Sequence, residues 1–190
     1  MDEKKSLKPM PKGVESVLVT KQAAAKSQLE TAIWLWFNEF DPVSIHALAV
    51  AAHDCFDALV SHSVRKRSGL QTWLDSQSKE RRKHVRFPQN FFKHGARKLT
   101  GQEPLHTIES EVFMMDASNC YEMLHGKLTP LMRLYQARFL YEHPALITED
   151  ALPAFAKNSE IHQLANSSRK EFFQRVYPFF VLAGKRAWKP

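Results

Sequence analysis

Glycine is scarce in this chain, six residues in 190 with no two closer than six positions. That excludes the glycine-rich loops that cradle phosphates in Walker and Rossmann nucleotide sites. Two cysteines, Cys55 and Cys120, supply neither a disulfide framework nor a CxxC metal pattern, and they read as reduced, buried thiols of a cytoplasmic protein. No Gly-x-Ser-x-Gly elbow, His-Glu-x-x-His or Cys/His zinc pattern occurs, so ordinary enzyme signatures are missing and no cofactor or metal is expected. Long hydrophobic runs are missing too. The longest, "AIWLWF", "ALAVAA" and "FFVLAG", fall far short of the roughly 20 residues that span a bilayer. The N-terminal "MDEKKSLKPMPKG" lacks the apolar core of a secretory signal. No membrane partner is expected.

What the chain does have is apolar bulk and one concentration of charge. Hydrophobic residues make up 44%, with 13 Phe and 4 Trp, enough to fill the core of one domain. Net charge is +7, and it is unevenly placed. Between Arg65 and Lys98 lie eleven Lys or Arg against two acids, Asp75 and Glu80, so the remainder of the chain is slightly acidic. A cluster of this kind attracts polyanions such as nucleic acid.

Periodicity points to helices throughout, with no alternating β-branched run to suggest a strand. Residues 1–19 read as a flexible basic tail, and 20–190 as a single helical domain. In the first helix, Leu29, Ile33, Trp36, Phe37 and Phe40 share an apolar face. Asp41 followed by Pro42 marks the start of a second helix, whose stripe is Ile45, Leu48, Ala49, Ala52, Phe56, Leu59 and Val60. Those two are expected to pair antiparallel. "LQTWLDSQSKERRKHV" predicts a short polar helix anchored by Leu70, Trp73 and Leu74, and Pro88 opens another reaching about Arg97. A longer helix presents Ile108, Val112, Met115, Cys120 and Met123 or Leu124 to the core and ends at Gly126. Thr129-Pro130 starts the next, which Pro144 stops. A short helix around Ile161 precedes a capping box at Ser168 and Glu171, whose helix Pro178 ends or kinks. The expected fold is an all-α bundle of five to seven helices.

Several residues are candidates for chemistry. His46, His53 and Asp57 lie along one side of the second helix, and the i, i+4 spacing of His53 and Asp57 suits a hydrogen bond that orients the ring. Glu122 and His125 have the Glu-x-x-His spacing of di-iron bundles, but the second match, Glu103 to His106, contains Pro104. "SKERRKHVRFPQNFFKHGARK" interleaves Arg81, Arg82, Lys83, Arg86, Lys93, Arg97 and Lys98 with Phe87, Phe91 and Phe92. Those cations can hold phosphates, while the phenylalanines are expected mostly to anchor in the core.

Within that segment "QNFFKHG" places Asn90 and His94 one helical turn apart. The spacing resembles the Arg-Asn-x-x-x-His of the HEPN superfamily, helical bundles that include metal-independent ribonucleases. The resemblance implies His94 as the proton-transferring base and Asn90 as its polar helper. The family's Arg position is occupied here by Gln89, and Arg86 could fill that role only if the chain bends at Pro88. More broadly, "DPVSIHALAVAAHDCFDAL" followed by "NFFKHG" resembles a set of short, uncharacterised bacterial proteins, which implies no activity. The leading expectation is therefore an HEPN-like bundle that binds RNA or another polyanion through the basic face at 65–98. Its alternatives are a ribonuclease using His94, a non-catalytic protein that dimerises through its first two helices, and a small-molecule or metal site lined by His46, His53 and Glu122.

Overall fold

The computed structural model describes residues 17–93, 102, 104–146 and 166–186; for Phe87, Gln89, Lys93, Leu146 and residues 183–186 it describes the backbone alone. The expected helix at Ile161 and most of the expected tail lie outside these residues. Among the described residues the chain is all-α, with eight α-helices, one 3-10 turn at Pro144–Leu146 and no strand. In chain order they are α1 (Lys21–Phe37), α2 (Pro42–Ser63), α3 (Gly69–Ser76), α4 (Lys79–Val85), α5 (Phe87–Lys93), α6 (Thr107–His125), α7 (Pro130–Glu142) and α8 (Arg169–Arg186).

Local chemistry sets most of the helix starts. Side chains of Thr20, Asp41, Ser68, Ser78, Thr129 and Ser168 accept from backbone N–H groups of the first turns of α1, α2, α3, α4, α7 and α8. Each such cap is worth about 0.5–2 kcal/mol over alanine. Ser78 accounts for a difference from expectation, because its cap splits "LQTWLDSQSKERRKHV" into α3 and α4. The box at Ser168 is half formed: Glu171 donates its N–H, but its carboxylate turns to Arg175 at 2.8 Å. Gly126 ends α6 as expected, at φ 71°. Pro178 does not end α8, which runs on to Arg186.

Four long helices and α8 form the bundle. Cys55 lies against the Lys21 carbonyl, and the two helices join through a short turn, so α1 and α2 are antiparallel. His46 meets Ser110 and His53 meets Asp116, which makes α2 and α6 parallel. Parallel neighbours require the chain to travel back along the bundle between them. Helices α3 to α5 make this crossover, and Arg86 on Asp54 and Phe92 against His46 mark its return along α2. The cation-rich segment is thus the crossover itself.

The core is built by Leu29, Ile33, Trp36 and Phe37 of α1, Ile45, Ala49, Ala52, Phe56 and Val60 of α2, and residues of α6 to α8 including Phe113, Met114, Tyr135 and Phe172. Phe40, expected on the α1 face, lies past the helix end and stacks on Trp34 at the surface, at 5.6 Å. In α6 Cys120 is buried and Val112, Met115 and Leu124 pack against the core as expected, but Phe113, Met114 and Ala117 are also fully inside, whereas Ile108 is exposed. Phe91 and Phe92 of α5 do not join the core either; Phe91 is half-buried and Phe92 is 37% exposed. Helix α2 is long and apolar enough by length and composition to cross a membrane, but half of its 18-residue apolar window is buried inside the bundle.

Candidate functional site

Two kinds of polar structure stand out, one buried between helices and one spread over the crossover. His46 and His53 both point from α2 into the α2–α6 seam and are fully buried. They do not share a site, because the Phe113 ring packs edge-on against both, at 6.0 and 5.1 Å. His46 Nδ1 lies 3.0 Å from Ser110 Oγ and its Nε2 has no partner among the described residues. With no charge beside it, burial pushes its pKa down to about 4. Unfolded, the ring titrates near 6.5, so between pH 6.5 and 4 the unfolded chain takes up a proton that the fold refuses. Lowering the pH from 7 to 4.5 should therefore cost about 2–3 kcal/mol of stability at this residue. Urea titrations at both pH values check it, with His46→Gln expected to lose less than wild type.

The i, i+4 bond expected between His53 and Asp57 does not form. Asp57 Oδ1 instead accepts the Ser68 N–H at 2.9 Å, and its Oδ2 pairs with Arg67 at 3.1 Å. His53 finds its carboxylate on α6, with Nε2 2.8 Å from Asp116 Oδ2. Asp116 Oδ1 accepts the Leu70 N–H at 3.1 Å, tying the start of α3 to α6. That approach depends on Gly69, where a Cβ would stand 3.3 Å from the same oxygen. Burial works against charge on His53, but Asp116 and Asp54 outweigh it and hold its pKa above the usual value. Burial likewise disfavours the Asp116 carboxylate, yet bonds from His53, Ser68 and Leu70 leave its pKa lowered. Cys120 lies beside this network, and burial reinforced by Asp116 and Asp57 pushes its thiol up to about 12. It is an inert thiol.

A second buried ionic cluster joins α6, α7 and α8, and nothing in the local sequence pattern announced it. Glu111, 2% exposed, accepts the Trp36 indole N–H at 2.9 Å and an Arg169 N–H at 2.8 Å on Oε1, with His143 Nε2 2.7 Å from Oε2. Arg169 also pairs with Glu142, which Arg138 engages from four residues back. Donor atoms of Glu111, Glu142 and His143 lie within 4.8 Å of one another, a set close enough to hold a metal ion. The cation between the two carboxylates is already supplied by Arg169, stacked 3.9 Å over Trp36. A cavity of about 230 Å³ opens here between the α1–α2 turn and the start of α6, lined by Trp36, Ile45, Ser110 and Arg169. With its charge met by two glutamates, Arg169 has none left for an anion.

Glu122 and His125 stand at the far end of α6, exposed, with His125 Nε2 2.6 Å from Gln22 Nε2. Glu122 is well away from both buried imidazoles, so the site imagined from His46, His53 and Glu122 is not assembled. Asn90 is exposed on α5. His94, Arg97, Lys98 and the Lys93 side chain lie outside the described residues.

On the crossover the cations divide into two sets. Arg86 is a tether: it pairs with Asp54 at 3.2 Å and donates to Gln71 Oε1 at 2.6 Å, fastening α4 to α2 and α3. Lys79, Arg81, Arg82 and Lys83 have no acid within ion-pair distance among the described residues, although Arg82 reaches the Asp75 carbonyl at 3.4 Å. Arg81 instead lies over the Trp73 ring, 6.0 Å from its centre. Trp73 was expected to anchor α3, yet it is 42% exposed while Leu74 is fully buried. An eight-residue helix has one narrow inner face, and Leu74 takes it.

Compared with protein-family models, curated proteins and solved structures, the chain matches none. The site's chemistry therefore has to be read from its own residues. Beside Trp73 lies an apolar groove of about 150 Å³, lined by Leu70, Trp73, Val85, Ile108, Val112 and Phe113, with Glu109 as its one acid. Glu109 Oε2 is shielded from water and has no partner among the described residues. Burial pushes this carboxyl up, against the opposing pull of His106 and His84.

Proposed function

We propose that the protein binds single-stranded RNA along the α3–α4 flank, with phosphates on Lys79, Arg81, Arg82 and Lys83 and a base stacked on Trp73. The observation that carries this reading is the indole of Trp73, 42% exposed beneath the Arg81 guanidinium and neighboured by cations that no described acid neutralises. Clustered cations gain affinity for a phosphate chain by releasing its counterions, and an exposed ring adds roughly 1–3 kcal/mol for each base it stacks. A polyanion without bases uses the cations alone. Among polyanions, the resemblance of "QNFFKHG" to an RNA-cleaving superfamily favours RNA.

Fluorescence anisotropy with a labelled uridine oligomer at low salt tests the reading. Trp73→Ala is expected to weaken RNA binding roughly tenfold while leaving heparin binding unchanged. Replacing Lys79, Arg81, Arg82 and Lys83 together by Gln weakens both. No RNA binding at low salt, or the same affinity after both sets of substitutions, contradicts the proposal.

A further inference from the structure

We infer that the groove beside Trp73 receives one leucine or phenylalanine side chain of an acidic partner polypeptide, whose carboxylates meet Arg81 and Arg82. The inference goes beyond RNA binding and does not depend on it. The walls of the groove are almost wholly carbon, from Leu70 and Trp73 of α3, Val85 of α4, and Ile108, Val112 and Phe113 of α6. Glu109 borders it, but its Oε2 is shielded from water. A polar group placed there loses its bonds to water with little to replace them, so a base edge, a sugar hydroxyl or a carboxylate is a poor occupant. Hydrocarbon is a good one.

Size restricts the hydrocarbon. A dry cavity of about 150 Å³, the volume of this groove, takes one benzene, which is the bulk of a single large apolar side chain and far less than a fatty acyl tail. Trp73 and Ile108, 42% and 39% exposed, leave apolar surface open to water that such a side chain would cover. The groove is also concave, whereas a protein lying on a membrane buries an apolar face that protrudes.

The charge beside the groove determines what flanks the anchor. Arg81 and Arg82 precede Val85 by four and three residues on α4, so both stand one helical turn from the groove wall on the same side of the helix. Arg81 lies over the Trp73 ring, and Arg82 reaches the Asp75 carbonyl at 3.4 Å. Neither has an acid within ion-pair distance among the described residues. A partner segment with acids within a turn of its anchor meets both guanidiniums, and complementary charge of this kind selects partners and speeds association. A basic segment with the same anchor is repelled. Because the RNA reading places phosphates on the same two arginines, the acidic segment and RNA would compete for them.

The test uses two dye-labelled heptapeptides, six glutamates around a central phenylalanine or a central alanine, with affinities read by anisotropy on the full chain at low salt. The phenylalanine peptide is expected to bind roughly tenfold tighter, the effect of burying part of one aromatic side chain. Val112→Phe, which fills the groove, should bring it down to the level of the alanine peptide, with melting curves to confirm the fold. Replacing Arg81 and Arg82 by Gln should weaken both peptides. Methyl NMR on wild type reads the site without a substitution, and the phenylalanine peptide alone should shift the Ile108 methyls. Equal affinity for the two peptides, a preference that survives Val112→Phe, or no peptide binding at all overturns the inference and leaves RNA binding to its own test. If a uridine oligomer or phosphatidylglycerol vesicles shift the Ile108 methyls and the phenylalanine peptide does not, the occupant is a base or a lipid, and the inference is overturned as well.

Discussion

Asp116→Ala is expected to lower the free energy of unfolding by roughly 3–5 kcal/mol, the usual cost of stripping one partner from a buried charge pair. The loss has two parts. One is the bond to His53, a ring with no exposure of its own; the other is the acceptor for the Leu70 N–H, through which α3 is fastened to α6. Asp116→Asn separates them, because the amide oxygen can still accept from Leu70 while the charge is gone. The pH dependence identifies the ionic part. His53 is raised above 6.5, so its contribution is complete below that pH and fades as the pH rises through the folded-state value. Asp116 is lowered below 3.8, so its contribution is complete above that pH and fades as the pH falls through its own folded-state value. Wild type and Asp116→Asn should therefore differ most between about pH 4 and 6.5, and less at pH 9. Urea denaturation at pH 5.5 and pH 9 measures it. A difference that is equal at the two values would mean that His53 is neutral in the fold.

Glu111→Ala is expected to have a comparable effect, centred on the C-terminal helix. The substitution leaves the Trp36 indole N–H without its acceptor, removes the partner of His143, and takes one of two carboxylates from Arg169, the first residue of α8. The partly buried Arg169 guanidinium, left with Glu142 alone, and the orphaned Trp36 N–H together cost several kcal/mol, of the order of 3. Phe172 and Phe173 still pack on Phe37, so α8 keeps apolar contacts but loses its polar anchor. Amide hydrogen exchange should show faster exchange in α8 along with the global destabilisation. Glu111→Gln, which can still accept from Trp36, should fall between alanine and wild type. Unchanged exchange in α8 would show that the cluster does not hold that helix.

The parts of this fold that were legible in the sequence are those decided by neighbours along the chain. Asp41 with Pro42, Thr129 with Pro130 and Gly126 mark helix ends because their chemistry acts within one turn. The apolar stripes of α1 and α2 were equally plain. What could not be read was α6, which buries Ser110, Glu111, Asp116 and Ser118 beside Phe113 and Met114. Patterning assigns acids to water, and these acids are inside only because Trp36, His53 and Arg169 meet them from 75, 63 and 58 residues away. The same competition undid the local pairing of His53 with Asp57, since Ser68, Arg67 and Asp116 reach those groups first. The cation cluster was visible in composition, but its place on the crossover follows from the parallel run of α2 and α6. Arg86 shows the limit of counting charges, because its charge is met by Asp54 of α2. Trp73 shows the reverse: a residue read as an anchor stands at the surface beside cations that no acid among the described residues pairs.

The most direct test of the proposed RNA contact is the salt dependence of binding, measured for wild type and for a variant with Arg81 and Arg82 both replaced by Gln. Each phosphate held by a cation on single-stranded nucleic acid contributes about −0.7 to the slope of log K against log salt. Four contacts, from Lys79, Arg81, Arg82 and Lys83, predict a wild-type slope of about −3 and a variant slope shallower by about 1.4. A slope near zero in wild type, or the same slope in both proteins, would contradict the assignment of this flank as the RNA-binding surface.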